Sequence, residues 1–250
     1  MSQVLVVSGT GTDVGKTIVT AAIAANALRE GRRVAVIKPG QTGVTADEPG
    51  DLAAIAALIE SVEGAAGLLT LHELARYPDP LAPAAAARLS GRAALTLDEA
   101  VVATSERAEV DDLVIVEGAG GLLVRYSNDP LWTIADLAAA LDAPVLLVVG
   151  PALGTLHHTA ATLESLAARD LACAGLVIGR WPQRPGLAER SNLIDLPPLG
   201  AALVGAMPDG ATTLTSAEFV AAAAAALNPD LGGTFDAAHF TQTYEPEIPL

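Results

Sequence analysis

The chain has 250 residues, 51% of them hydrophobic but only 3% aromatic, and a formal net charge of −15. That length suffices for one α/β domain with a sizeable core, and the alanine-rich composition favours helices packed closely on a sheet. The charge excludes a general basic face for nucleic acid or anionic lipid, and so few rings argue against a stacking platform for single strands.

The first apolar run is VLVVS, residues 4–8. The N-terminus has neither a basic region nor a long apolar segment, so the run reads as a buried strand and not a secretory leader. It leads into GTGTDVGKT, residues 9–17, and a helical stretch over 16–30. A glycine-rich turn between strand and helix is a phosphate-binding arrangement. Glycines let backbone N–H groups turn inward, and the helix start adds partial positive charge. The gauge is unusual, because five residues instead of four separate Gly9 from Gly15. The end of the loop still offers Lys16 to β/γ phosphates and the Thr17 hydroxyl to Mg²⁺.

The second strand, RVAVI (33–37), runs into KPGQTG. Lys38 leaves it toward the same crevice as Lys16, because parallel strands present their carboxyl ends together. Of the 14 basic residues only these two are lysine. Asp51 opens a helical stretch over 51–62; a helix N-cap explains an aspartate there, and at this end of the sheet it can also hold Mg²⁺. After a helical stretch over 96–108, the wholly apolar strand LVIVE (113–117) ends in Glu117. An acid in that position faces the ligand crevice, where a phosphate loop needs its Mg²⁺ partner. Gly118, Ala119, Gly120 and Gly121 follow as backbone donors in a tight turn.

Helix 133–141, strand PVLLVVG (144–150), helix 156–169, strands GLVIG (175–179) and ALVGAM (202–207), and helix 216–227 complete the alternation. The expected fold is a single P-loop NTPase-like α/β domain over residues 1–227, a mostly parallel central sheet with helices on both faces. Cys173 is the only cysteine, which excludes an intrachain disulfide and points to a core position in a reducing compartment. No run approaches the roughly 18 apolar residues of a membrane span, so a soluble cytoplasmic protein is expected. Residues 228–250 hold three prolines and no helical period; an acidic, loosely ordered tail is expected there.

Taken in this order, GTGTDVGKT, KPGQTG, VEGAGG and LGTLHHT resemble the dethiobiotin synthetase family, over about residues 3–227. The resemblance implies Mg-ATP-dependent ring closure of 7,8-diaminononanoate with CO2, through a carbamate and a carbamic–phosphoric anhydride. Lys16 would neutralise the transferring phosphoryl group and Lys38 would steady the carbamate. Thr12 belongs with them, and Thr12 and Thr42 would hydrogen-bond the substrate. Asp13, Val14, Gly15, Lys16, Thr17 and Ile18 would contact ATP, with Gly118, Ala119 and Gly120 opposite. Thr17, Asp51 and Glu117 would form the Mg²⁺ site, and Gly179, Arg180, Pro208, Asp209 and Gly210 the base pocket. The resemblance also implies a homodimer with the substrate site at the subunit interface. There Gly154, Thr155, Leu156 and His157, at the start of a neighbouring helix, would receive the substrate carboxylate.

Two departures stand out. His157 occupies a position where the family often has asparagine. Gly179 stands where a base-reading asparagine is common, which implies relaxed nucleotide preference. Two other ATPases of the same fold offer alternatives. The amide-forming ligases of corrin biosynthesis usually add a glutaminase domain, not expected in 250 residues. The partitioning ATPases carry an extra lysine near the first glycine, where Thr10 and Gly11 stand here.

Overall fold

The computed structural model describes residues 3–246. Strand β1 (Gln3–Gly9) leads through the glycine-rich loop to α1 (Lys16–Arg29) and β2 (Val34–Lys38). A short β3 (Gln41–Thr42), α2 (Asp51–Leu58), β4 (Leu69–Glu73), β5 (Arg76–Tyr77), α3 (Pro83–Ser90) and α4 (Leu97–Ala108) follow. Then come β6 (Leu113–Gly121), the hairpin β7 (Arg125–Asn128) and β8 (Leu131–Thr133), α5 (Ile134–Ala140), β9 (Val145–Val149) and α6 (Thr155–Ala167). Strand β10 (Cys173–Trp181), α7 (Leu187–Asp195), β11 (Leu203–Pro208), α8 (Ser216–Ala226) and α9 (Ala237–Tyr244) complete the described chain.

Seven strands form one sheet in the order β11-β10-β9-β1-β6-β2-β4, every pairing parallel. Side chains alternate between its faces, which is why the strands are apolar throughout. Leu5 and Val7 of β1 pack into a layer with α1, α2 and α8. Val6 packs into the opposite layer with α4 and α5. The α/β expectation therefore holds, and the six strand runs read from the sequence are six strands of the sheet. The seventh, β4, lacks an uninterrupted apolar run because it is an edge strand whose side chains are only partly buried. The parallel direction brings the ends of β1, β2 and β6 to one rim, and with them Lys38, Glu117 and the start of α1. Among the described residues no helix is long and apolar enough to cross a membrane.

Residues 228–246 differ from the loose tail expected. They contain a helical turn at Pro229–Leu231 and then α9. Three of the chain's eight aromatic residues fall here, and Phe235, Phe240 and Tyr244 join the cluster around Trp181, Leu193 and Leu196. Asn26 of α1 donates to the Ala223 and Leu231 carbonyls, at 3.3 and 3.1 Å, and ties the start of the segment to the domain. Ala237, Phe240 and Tyr244, at helical spacing on α9, form the face that packs on this cluster. The last part of the expected tail, 247–250, lies outside the described residues.

Candidate active site

The glycine-rich loop turns tightly between β1 and α1. Gly15 adopts a φ of 101°, a left-handed conformation that only glycine takes readily, and a Cβ there would lie 2.6 Å from the Gly179 carbonyl oxygen. Lys16 folds back across the loop, and its Nζ donates to the Gly11 carbonyl at 2.8 Å. Burial, and next the neighbouring Lys38 cation, lower the Lys16 pKa to about 8.

Lys38 ends β2 and is 3% exposed. Its ammonium lies 2.7 Å from Glu117 Oε1 and 2.6 Å from Asp51 Oδ2. Burial works against its charge, but the two carboxylates prevail and hold its pKa above the ordinary lysine value. Thr17 donates its hydroxyl to the same Glu117 oxygen at 2.8 Å. The other carboxylate oxygen, Glu117 Oε2, is buried without a partner. Two carboxylates, one of them with an unsatisfied buried oxygen, and a hydroxyl are the hard donors that suit Mg²⁺, so Thr17, Asp51 and Glu117 fit that ion.

Asp51 is not the helix cap that its position in sequence suggested. Gly50 is the N-cap and Asp51 the first helical residue. The Asp51 amide donates to Gln41 Oε1 at 2.8 Å, so a side chain from another segment satisfies the helix start. The Asp51 carboxylate is thereby left to Lys38. The VEGAGG run also departs from a simple turn. Strand β6 continues through it to Gly121, which pairs with Gly9. The Ala119 amide is no free donor, because it donates to the Tyr126 hydroxyl at 2.7 Å. Tyr126 is buried and stacked on Trp132 at 4.4 Å, and burial pushes its phenol up to about 12.

These groups share one cleft of about 1130 Å³, which also takes in Thr12, Asp13, Ile18, Thr42, Ala119, Gly120, Gly179, Arg180, Pro208, Asp209 and Gly210. Val14 and Gly118 are not among its lining. Val14 packs against Gly179, and Gly118 lies beneath Ile134 and the Val7 carbonyl. Gln41, Val124 and the wall Pro80–Pro83 line the cleft without having been singled out from sequence. The proline spacing in PDPLAP was the one signal for that wall. Gly154, Thr155, Leu156 and His157 lie outside this cleft at the start of α6, beside Leu153, which is 86% exposed. The Thr155 amide is already used by the Ala152 carbonyl at 3.2 Å. Cys173 is only partly buried, between two apolar clusters.

Gly179 lines the cleft and also supports the phosphate loop. A Cβ there would collide with the Val14 carbonyl oxygen, so the strand's backbone lies directly beneath the phosphate loop. The next residue, Arg180, reaches the cleft and meets Asp209 at 3.1 Å.

A family model described as an AAA domain matches residues 3–209. An ATP-dependent dethiobiotin synthetase BioD from Frankia casuarinae is 54% identical, over 96% of this chain and 98% of that protein. Another from Streptomyces coelicolor is 52% identical, over 97% and 99%. The chain belongs to the ATP-dependent dethiobiotin synthetase family. As a member it is an enzyme, an ATP-dependent ligase. Among solved structures, a ParA family ATPase from Chlorobium tepidum aligns with a TM-score of 0.54 at 11% identity, over 97% of this chain and 99% of that one. The cell division ATPase MinD of Pyrococcus furiosus aligns at 0.52 and 18%, over 97% and 98%. At such identities the likeness concerns the P-loop NTPase fold alone.

Proposed function

We propose that the protein is a dethiobiotin synthase of biotin biosynthesis, acting in the cytoplasm. It converts 7,8-diaminononanoate, CO2 and Mg-ATP to dethiobiotin, ADP and phosphate. The observation that carries this reading is Lys38, buried 2.7 Å from Glu117 and 2.6 Å from Asp51 in the cleft that also holds Lys16. Two lysines at one rim serve two anions, a triphosphate and a carbamate.

In this reading one substrate amine adds to CO2 and loses a proton, giving the carbamate. A carbamate oxygen attacks the γ-phosphorus and ADP leaves. The second amine then attacks the carbamoyl carbon, phosphate departs, a proton is lost and the ring closes. The chain contributes position and charge. Lys16 faces the phosphoryl group, Lys38 the carbamate, and Thr12 and Thr42 orient the diamine, with Asp13 beside its amines. Thr17, Asp51 and Glu117 would hold Mg²⁺, which when bound neutralises phosphate charge. The exposed start of α6 supports a homodimer: Gly154, Leu156 and His157, outside the cleft of their own chain, would receive the substrate carboxylate across the interface.

The test is direct. Purified protein incubated with diaminononanoate, bicarbonate and Mg-ATP is expected to yield dethiobiotin and one phosphate per turnover. A folded protein that makes none with any nucleoside triphosphate overturns the proposal.

A further inference from the structure

Side chains alternate along the end of β10. Arg180 opens into the cleft, whereas Trp181 is 5% exposed and turns into the layer behind. There it meets the C-terminal segment. The Phe240 and Tyr244 rings stand edge-on to the Trp181 indole, each with centroids 5.3 Å away. Phe235 and Tyr244 in turn flank Phe240 at 5.1 and 5.0 Å. Arg190 of α7 secures the end of the segment, donating to the Tyr244 carbonyl at 2.8 Å and the Glu245 carbonyl at 3.0 Å.

From Trp181 two links run forward. Its carbonyl accepts the Asp209 amide at 2.7 Å, which fixes the chain just beyond β11. Asp209 then meets the Arg180 guanidinium at 3.1 Å across the cleft wall. The backbone on the other side, Gly179, supports the phosphate loop. The rings behind the wall therefore set where Arg180 and Asp209 stand in front of it.

We propose that residues 228–246 are a positioning arm for the nucleoside end of the cleft, acting through Trp181 on Arg180 and Asp209. This rests on the reading that nucleoside triphosphate binds with its base at that end. The arm touches no reacting atom, so it governs nucleotide affinity and not the chemical step.

The experiment compares the full chain with Phe240→Ala and Tyr244→Ala combined, and separately with Arg190→Met, which frees the arm's end without opening the ring cluster. The expected result is a rise of about tenfold in the Kd for ATP and its non-hydrolysable analogue by calorimetry, with kcat and the diamine KM unchanged. Phe240→Tyr, which keeps the ring, restores wild-type affinity. Because the two tryptophans are Trp132 and Trp181, ¹⁹F spectra of 5-fluorotryptophan protein carry two resonances. That of Trp181 is expected to shift on nucleotide binding, and to lose the shift when the arm is released. Unchanged nucleotide affinity in an arm-released, folded chain overturns the proposal, as does a fall in kcat at constant Kd. If the double variant does not fold, Arg190→Met alone decides by the same readouts. Nucleotide affinity is measured without turnover, so a failure here is distinguishable from a failure to form dethiobiotin.

Discussion

At the phosphate end of the cleft, Lys38, Glu117 and Asp51 hold their charges against one another within 2.7 Å, with Lys38 and Glu117 almost wholly buried. At the proposed nucleoside end, Arg180 and Asp209 pair at 3.1 Å with their side chains about half exposed. The same two kinds of charge do different work in the two places. Water screens the outer pair, and such pairs contribute about 0–1 kcal/mol. The inner Lys38–Glu117 pair is out of water, so loss of one partner from such a pair costs about 3–5 kcal/mol. In the proposed reading, chemistry is concentrated where charge is desolvated and held, while recognition at the other end rests on backbone shape and on packing behind the wall.

The largest expected effect breaks the inner cluster. Lys38→Met removes the cation proposed to steady the carbamate, and a fall in kcat of about 10²–10³-fold is expected, typical for loss of one charge-stabilising donor. The same change strands Glu117, so thermal stability falls too. Adding Glu117→Gln removes the stranded charge. The double variant is expected to recover much of the stability in denaturant titration but none of the turnover. Recovery of both would assign Lys38 a structural role alone.

Next comes Gly179→Asn, which installs the residue common in the family at this position. Because a Cβ at 179 collides with the Val14 carbonyl, the phosphate loop must shift, and overpacking of this kind costs about 1–3 kcal/mol. The expected outcome is a lower Tm and weaker binding of ATP, CTP and GTP alike. A selective gain for ATP with unchanged Tm would mean that Gly179 does face the base.

The two ends were also unequally legible. Lys16 and Lys38 stood out because lysine is scarce in this chain, and Glu117 because an acid ends an apolar strand; strand direction alone then brings them to one rim. Asp51 was harder, since an N-cap and a first helical residue are neighbours in sequence. The distinction lies in Gln41, which arrives from another segment. The nucleoside wall gave little signal. The importance of Gly179 is a close approach between two backbones, and a glycine in sequence does not say what it approaches. The arm gives little signal because its one helical stripe, Ala237, Phe240 and Tyr244, is short and set among prolines and glycines. The rings' partner, Trp181, lies about sixty residues earlier, and only the folded sheet brings it near.

A smaller effect is expected from pH. The lowered Lys16 pKa, about 8 against an ordinary 10.5, means that the free enzyme loses this cation as pH rises through 8. Above that, kcat/KM for ATP is expected to fall by about tenfold per pH unit, the free-enzyme profile of one essential proton. The stability contribution runs the other way. Between about pH 8 and 10.5 the unfolded chain binds the proton that the folded chain has released, so this group raises the unfolding free energy with pH. Activity lost without loss of stability therefore separates titration from alkaline unfolding. Lys16→Arg, whose charge persists, is expected to flatten the limb.

The smallest effect is at the outer end, and there the comparison is sharpest. A site that hydrogen-bonds its ligand through buried polar groups rejects an analogue lacking the match by about 10⁴–10⁵-fold. The nucleoside wall has no such group at Gly179, and its charged side chains, Arg180 and Asp209, are exposed and already satisfied by each other. Discrimination must then come from shape and from weak, screened contacts. The kcat/KM values for ATP, CTP and GTP are accordingly expected to lie within about tenfold of one another. Arg180→Ala, which removes a side chain that the arm positions, is expected to lower all three alike, by at most about the tenfold expected on release of the arm. A preference of a thousandfold for one base would require a buried reader that the wall does not contain, and would move base recognition out of this end of the cleft.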